Sequence, residues 1–362
     1  MSSERRYIAY APDVFATRRA KTAHGVVAYG RDRVVAIVDP SLAGKRVRDV
    51  LPHLQSDAPI VASLDEALEQ KPTSLLLGTA PQGGALPPEW RADILRAIEA
   101  KLEIVSGLHD FLNDDAEFVA AAQRTGARLW DVRKPPEVPL FSGRAWEAPQ
   151  HVSLFVGSDC AVGKMTAALE LTRAAAAAGR RSEFLATGQT GVMIAGKGIA
   201  VDCVVSDFVS GAAEQLVLDA DPQSDLLFVE GQGGINHPAY AQVTLGLLFG
   251  SAPDSLILAH HAGREEIESF GTPILPLPEL ITIYERLCST VKPARVIAVC
   301  LNTLGLDDAG ARRAIADAER ATGLPADDVV RFGPARLFER IAPWLQGKTL
   351  TLKARSAATA AS

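Results

Sequence analysis

The chain has four cysteines, Cys160, Cys203, Cys288 and Cys300, and no CxxC pair among them. That spacing builds neither a disulfide framework nor a zinc site, and it fits a reducing cytoplasm. No metal site is expected. The first residues, Met1 to Asp13, lack the apolar core of a signal peptide. No apolar run reaches the length of a membrane span. The expected location is therefore the cytoplasm, with no membrane partner. Positive charge is also short: 37 Lys and Arg stand against 43 Asp and Glu, a net charge of −6. That balance argues against a general nucleic-acid surface. Small-molecule substrates, and further copies of the chain in a homo-oligomer, are the expected partners.

At 362 residues the chain is too long for one typical core, and two domains are expected. Apolar content of 48% and charged content of 22% are ordinary for a globular protein. In the first half, strands alternate with helices. Arg33–Asp39, a short strand closing at Val61, Ser74–Gly78, Leu102–Val105 and Arg128–Asp131 read as strands. Leu64–Gln70, Pro88–Ala100 and Asp114–Thr125 read as helices, the first with Ser63 and Glu66 as a capping box. This alternation predicts an α/β fold with a mainly parallel sheet, a Rossmann-like domain over 1–135. Two loops, Gly78–Gly84 and Ser106–Asp110, fall at carboxyl ends of strands, where such sheets place their sites. Either they form a site or they only turn the chain. No G-x-G-x-x-G follows a first strand. Residues 136–150 carry prolines and little periodicity, and read as a linker. A second domain is expected over 151–347 and a frayed tail over 348–362.

The strongest signal opens that second domain. Gly157-Ser158-Asp159-Cys160-Ala161-Val162-Gly163-Lys164-Met165-Thr166 follows an apolar strand, His151–Val156, and precedes an Ala-rich helix, Ala167–Ala178. Strand, glycine loop with lysine, and helix build a phosphate cradle from loop N–H groups, the helix start and one cation. The spacing departs from G-x-x-x-x-G-K-[ST]. The first glycine comes one residue early, and Met165 stands between Lys164 and the hydroxyl of Thr166.

Downstream, a strand over Ser182–Ala186 leads into a loop with many glycines, Thr187–Gly198. Val201–Phe208 then reads as an apolar run that places Asp207 at a strand end. Asp225–Val229 is a buried strand ending in Glu230 and a glycine loop, Gly231–Gly234, where P-loop proteins carry an acid beside the phosphates. His237 follows in a polar loop on that same face, as either a structural histidine or an acid–base group. Ser255–Ala259 ends in His260 and His261, which point to opposite faces. Arg295–Thr303 is a last strand, with Asn302 placed either to read an adenine ring or to cap a loop. Cys160, just before a helix start, is either a small loop residue or a nucleophile.

Two resemblances follow from these motifs. The wide P-loop spacing and Val229-Glu230-Gly231-Gln232-Gly233-Gly234 resemble dethiobiotin synthetase. Over nearly the whole chain, Lys21–Gly25, Gly78–Gly84, Ser106–His109, Gly157–Thr166, Ala186–Ile194, Asp207-Phe208, Glu230–Gly233 and His237–Tyr240 resemble the domain-of-unknown-function family 1611. That family includes D-glutamate N-acetyltransferases that use acetyl-CoA in D-glutamate catabolism. The resemblance implies a C-terminal P-loop NTPase-like domain whose cradle, Gly157 to Thr166 with Asn302, holds acetyl-CoA as co-substrate. Asp207, Glu230 and His237 are then the candidate bases, in no fixed order. Gln189, Thr190, Gly191, Lys197 and Arg264 are the candidates for the acidic amino acid. The alternative is an ATP- and Mg-dependent ligase or kinase of the dethiobiotin synthetase type, using Thr166 and Glu230. A third reading is a non-catalytic nucleotide or acyl-CoA sensor.

Overall fold

The computed structural model describes residues 4–79 and 84–346. The centre of the Gly78–Gly84 loop and the expected tail over 348–362 lie outside them. The chain forms two compact units, residues 1–135 with 189–200, and 136–188 with 201–362.

The first unit contains β1 (Arg6–Tyr10), α1 (Lys21–Tyr29), β2 (Arg33–Val38), α2 (Val47–Val50), β3 (Ile60–Val61) and α3 (Leu64–Leu68). It continues through β4 (Ser74–Leu77), α4 (Arg91–Glu99), β5 (Glu103–Ser106), α5 (Ala116–Thr125) and β6 (Leu129–Asp131). All pairings are parallel, in the order β3-β2-β1-β4-β5-β6, the strand order of a Rossmann fold. The central strand β1 is absent from the sequence reading. Its five residues, Arg-Tyr-Ile-Ala-Tyr, carry no alternation to mark it, since both faces are covered.

Asp39, just past β2, stands where dinucleotide folds hold a ribose. Here its carboxylate is fully buried and taken by the chain itself. Oδ2 accepts the Phe15 N–H at 2.9 Å, and Oδ1 accepts the Ser41 N–H and hydroxyl at 3.0 and 2.6 Å. The position is closed to a sugar.

One face of this sheet packs Leu75, Leu77 and Ile104 against Ile94, Ile98 and Phe118 of α4 and α5. Leu76 and Val105 point the other way and are equally buried. Right-handed crossovers put α1 on that second face. There α1 packs along α7 (Gln189–Ala195), whose Val192, Met193 and Ile194 are buried. The expected glycine loop over Thr187–Gly198 is thus mostly helix, and the expected contiguous domain over 151–347 is interrupted by a segment that belongs to the first unit. Its apolar residues are what the bare face of the Rossmann-like sheet requires.

The second unit contains β7 (His151–Gly157), α6 (Lys164–Ala177), β8 (Ser182–Leu185), α8 (Val209–Leu218), β9 (Leu226–Val229) and α9 (Ala241–Gly250). It ends with β10 (Ser255–His261), α10 (Leu277–Ser289), β11 (Arg295–Asn302), α11 (Asp308–Thr322), β12 (Ala326–Asp327) and α12 (Ala335–Ile341). The sheet is again six parallel strands, β12-β11-β10-β7-β9-β8. Residues expected as a free linker are pinned to this unit. Glu214 of α8 accepts the Ser142 and Ala145 N–H groups at 2.7 and 3.1 Å. Gly211 permits the contact, because a Cβ there would sit 1.8 Å from the Pro139 carbonyl. Val201–Phe208 is not a strand but two 3₁₀ turns, Val201–Cys203 and Ser206–Phe208. Among the described residues no helix is long and apolar enough to cross a membrane.

Candidate functional site

β7 is buried along its whole length and delivers Gly157 to the carboxyl edge of the second sheet. The Tyr284 hydroxyl, on α10, donates to the Gly157 carbonyl at 2.7 Å and accepts the Ile235 N–H at 3.0 Å. One phenol therefore clips the P-loop to the loop after β9. The chain then turns through Ala161 and Gly163, at φ +52° and +102°. Gly163 precedes α6 and offers no side-chain cap. The first N–H groups of a 14-residue helix are left to an anion, with the helix dipole behind them.

Lys164 starts α6 and folds back beneath the loop. Its Nζ donates to the Asp159 and Gly233 carbonyls, both at 2.7 Å. Burial pulls its pKa down to about 8. The two loops meet closely. A Cβ on Gly231 would lie 1.6 Å from the Phe155 carbonyl oxygen, and one on Gly234 would lie 3.1 Å from that of Gly157.

Asp159 is the hub of the loop and is fully buried. Its Oδ1 accepts the Cys160 N–H at 2.6 Å, and its Oδ2 accepts Arg264 Nη1 at 2.9 Å and the Glu268 N–H at 3.0 Å. Arg264 Nη1 also donates to the Cys160 carbonyl at 2.8 Å. Arg264, expected to meet a substrate carboxylate, is engaged by the loop itself. His237 lies buried beside this hub, with Nε2 3.7 Å from Asp159 Oδ1. Its Nδ1 accepts the Ala239 N–H at 3.1 Å, and its ring sits between Tyr240 and Phe270, at 4.7 and 5.1 Å. A neutral imidazole that accepts at Nδ1 carries its proton on Nε2. In that form His237 turns an Nε2 donor towards Asp159. Asp159, Cys160 and His237 bring one ligand-type atom each within 4.8 Å of the others. The proton on Nε2 and the guanidinium already on Asp159 both oppose a cation there.

Glu230 follows β9 and is buried. Its Oε2 accepts the Thr187 and Gly188 N–H groups at 2.9 and 3.1 Å. Desolvation outweighs those bonds and pushes its pKa up to about 7. A carboxyl group balanced near neutrality suits proton transfer better than holding a dication. Asn302 ends β11. Its Oδ1 accepts the Leu304 N–H at 3.0 Å, and the carboxamide keeps its two N–H donors and a second acceptor lone pair. It lines a groove of about 410 Å³ with Val162, Gly163, Thr166, Leu304 and Val330. Leu304 and Val330 are 60% and 61% exposed and form apolar lips. Thr166, considered as a metal ligand, lines this groove.

The other expected residues lie elsewhere. Asp207 is exposed in the 3₁₀ turn before α8 and has no hydrogen bond or ion pair among the described residues. Its expected place at a strand end fails because there is no strand. Gln189, Thr190 and Gly191 begin α7 in the first unit. Gln189 Oε1 accepts Arg133 Nη1 at 2.9 Å, and Thr190 Oγ1 lies 3.0 Å from Thr22 Oγ1. Lys197 is exposed on the same segment. These four and Arg264 are thus divided between the units. Sequence reasoning missed Tyr284 and the hub role of Asp159. An acid inside a phosphate loop was a usable signal for the second; the first depends on tertiary packing alone.

Known proteins match this arrangement over most of its length. The DUF1611 family, a domain of unknown function, matches through its P-loop domain at residues 139–338 and its Rossmann-like N-terminal domain at 40–135. A D-glutamate N-acetyltransferase from Tritonibacter scottomollicae is 34% identical over 340 residues, 93% of this chain and 97% of that protein. Another, from a Pseudoalteromonas species, is 36% identical over 275 residues, 75% of this chain and 82% of that one. The crystal structure of a DUF1611 family protein from Anabaena variabilis aligns with a TM-score of 0.88 at 39% identity, covering 94% of this chain and 100% of that one. Both domains occur in order, and a solved member matches nearly end to end: the chain belongs to the DUF1611 family.

Proposed function

We propose that this chain is an acetyl-CoA-dependent N-acetyltransferase acting on the amino group of an acidic amino acid, D-glutamate, in D-amino-acid catabolism. The observation that carries this reading is the match to D-glutamate N-acetyltransferases, the longer of which spans 93% of the chain and so both units. The site is consistent with it. The loop from Gly157 to Thr166 would take the phosphates of coenzyme A on its N–H groups, with Lys164 adding charge. The adjoining groove suits a flat ring, which Leu304 and Val330 would flank while Asn302 donates to a ring acceptor. The thioester would supply the activated acetyl group.

Glu230 is the residue whose environment favours a base. Its carboxylate takes the proton of the amine that attacks. His237, holding its proton on Nε2, stabilises negative charge instead of removing protons. Asp207 has no part in this scheme. The ATP- and Mg-dependent alternative needs a carboxylate that stays ionised. The burial of Glu230 works against that.

The test incubates the protein with acetyl-CoA and D-glutamate and follows free thiol. A parallel sample receives ATP, Mg²⁺ and D-glutamate, and ADP is followed. Thiol release that depends on D-glutamate is expected. ADP formation without thiol release would overturn the reading in favour of a ligase or kinase.

A further inference from the structure

Leu304 and Val330, the apolar lips of the groove beside the P-loop, sit on two different loops. Leu304 lies between β11 and α11, and Val330 follows β12. Exposed apolar side chains on neighbouring loops gain by closing on each other. Yet both line an open groove of about 410 Å³ and stay largely exposed. Behind them runs a polar brace. Asp328 is buried. Its Oδ2 accepts the Thr303 N–H at 2.9 Å and the Thr303 hydroxyl at 2.5 Å, and its Oδ1 accepts the Val330 and Arg331 N–H groups at 3.1 and 2.9 Å. Arg331 crosses in the other direction. Its Nε donates to Thr303 Oγ1 at 3.0 Å, Nη2 to the Thr303 and Leu306 carbonyls at 3.2 and 2.8 Å, and Nη1 to Asp308 Oδ1 at 2.6 Å. Both carboxylate oxygens and every guanidinium nitrogen are spent on the chain, at positions that flank Leu304 and Val330. These charge-assisted bonds and the planar fork of the arginine fix the two loops against each other.

Held open, the lips expose apolar surface at a cost, which a flat ring between them would remove. We propose that Asp328 and Arg331 are positioning residues that fix the width of the groove for the adenine ring of coenzyme A. They thereby make the protein select thioesters that carry the nucleotide over those that carry only the pantetheine arm. That selectivity rests on the acetyl-transfer reading above. A slot set before the ligand arrives spares the cost of ordering its walls on binding. Gly163 and Thr166 line the same groove, so it opens directly onto the anion cradle at the start of α6. Ring and phosphates are then held on one continuous surface. The ring is unchanged in the reaction, so its binding is equal in the ground and transition states. The brace therefore acts on KM and not on kcat.

The experiment compares the full chain as wild type, Arg331→Met, Asp328→Asn, a lip variant (Leu304→Ser with Val330→Ser), and the lip variant with Arg331→Met added. D-glutamate-dependent thiol release is measured from acetyl-CoA and from S-acetylpantetheine, which has the same thioester arm and no nucleotide. Arg331→Met and Asp328→Asn should each raise KM for acetyl-CoA by about 10-fold with kcat within about 2-fold, the pattern of lost uniform binding. Their kcat/KM for S-acetylpantetheine should match wild type, which also shows that the variants fold. In the lip variant, adding Arg331→Met should change KM by less than about 2-fold, because the brace acts only through the lips. Equal losses with both donors would overturn the proposal and make the brace a support of the fold at large. An unchanged KM for acetyl-CoA would overturn it as well. Absence of thiol release in wild type would instead remove the acetyl-transfer reading itself. Calorimetry with ATP, which carries the same ring, then tests the brace: binding about 10-fold weaker in Arg331→Met upholds it, and equal affinity overturns it.

Discussion

Two buried groups of opposite charge type, Glu230 and Lys164, interact electrostatically where the P-loop meets the loop after β9, and their titration gives the first test. Glu230, raised to about 7, should impose an acidic limb on kcat/KM, with activity rising as pH climbs through that value. Glu230→Gln should lower kcat by about 100-fold or more and remove the limb. Stability has its own sign. Because the folded pKa lies above the unfolded one, the folded state binds the proton more tightly between pH 4.5 and about 7, so wild type loses stability as pH rises through that window. Glu230→Gln lacks that loss. Its Tm should gain on wild type across the window, equivalent to about 1–3 kcal/mol; a constant difference across pH 4 to 8 would contradict the burial argument. Lys164, lowered to about 8, keeps its charge below that pH, so acyl-CoA affinity should weaken above it. Arg264 is paired to a carboxylate with no solvent exposure. Arg264→Ala should therefore cost about 3–5 kcal/mol, and adding Asp159→Asn should return most of it. Urea denaturation of the two single variants and the double variant measures the coupling.

Among the elements, those built from local signals are legible in the chain. Apolar runs and glycine spacing disclose β7, the start of α6 and β9 with its terminal Glu230, because a strand-end acid and a glycine loop are neighbours in sequence. The turn signals around Ser63 disclose α3, where Ser63 Oγ accepts the Glu66 N–H at 3.3 Å. Elements fixed by distant partners are not legible. The glycines of Thr187–Gly198 suggest a loop, yet the residues between them form α7, because Thr22, Arg133 and the uncovered sheet face of the first unit hold it. Asp207 fails for a related reason: Val201–Phe208 is apolar enough for a strand, but no edge of the β12-to-β8 sheet takes it. The contact between the loops also predicts a consequence. Gly231→Ala cannot be accommodated 1.6 Å from the Phe155 carbonyl without moving one loop. It should lower Tm by several degrees and weaken acyl-CoA binding together. A variant with wild-type Tm and affinity would show that the loops do not touch as described.

In the whole molecule, the division into two α/β units is readable from composition, but the path of the chain between them is not. Residues 189–200 leave the P-loop unit, join the Rossmann-like unit and return at Val201, whose N–H meets the Thr187 carbonyl at 3.0 Å. A fragment holding residues 136–362 would strip Val192, Met193 and Ile194 of the first unit's cover. It should bind a hydrophobic dye, and replacing 189–200 with a short Gly-Ser linker in that fragment should abolish the binding. The most direct measurement is the transfer of a labelled acetyl group from acetyl-CoA to D-glutamate, followed as labelled N-acetyl product in wild type and Glu230→Gln. Acetyl transfer at this site predicts product in wild type, growing with free thiol one for one, and loss of about 100-fold in the variant. No labelled product in wild type, or equal product in both, would contradict it.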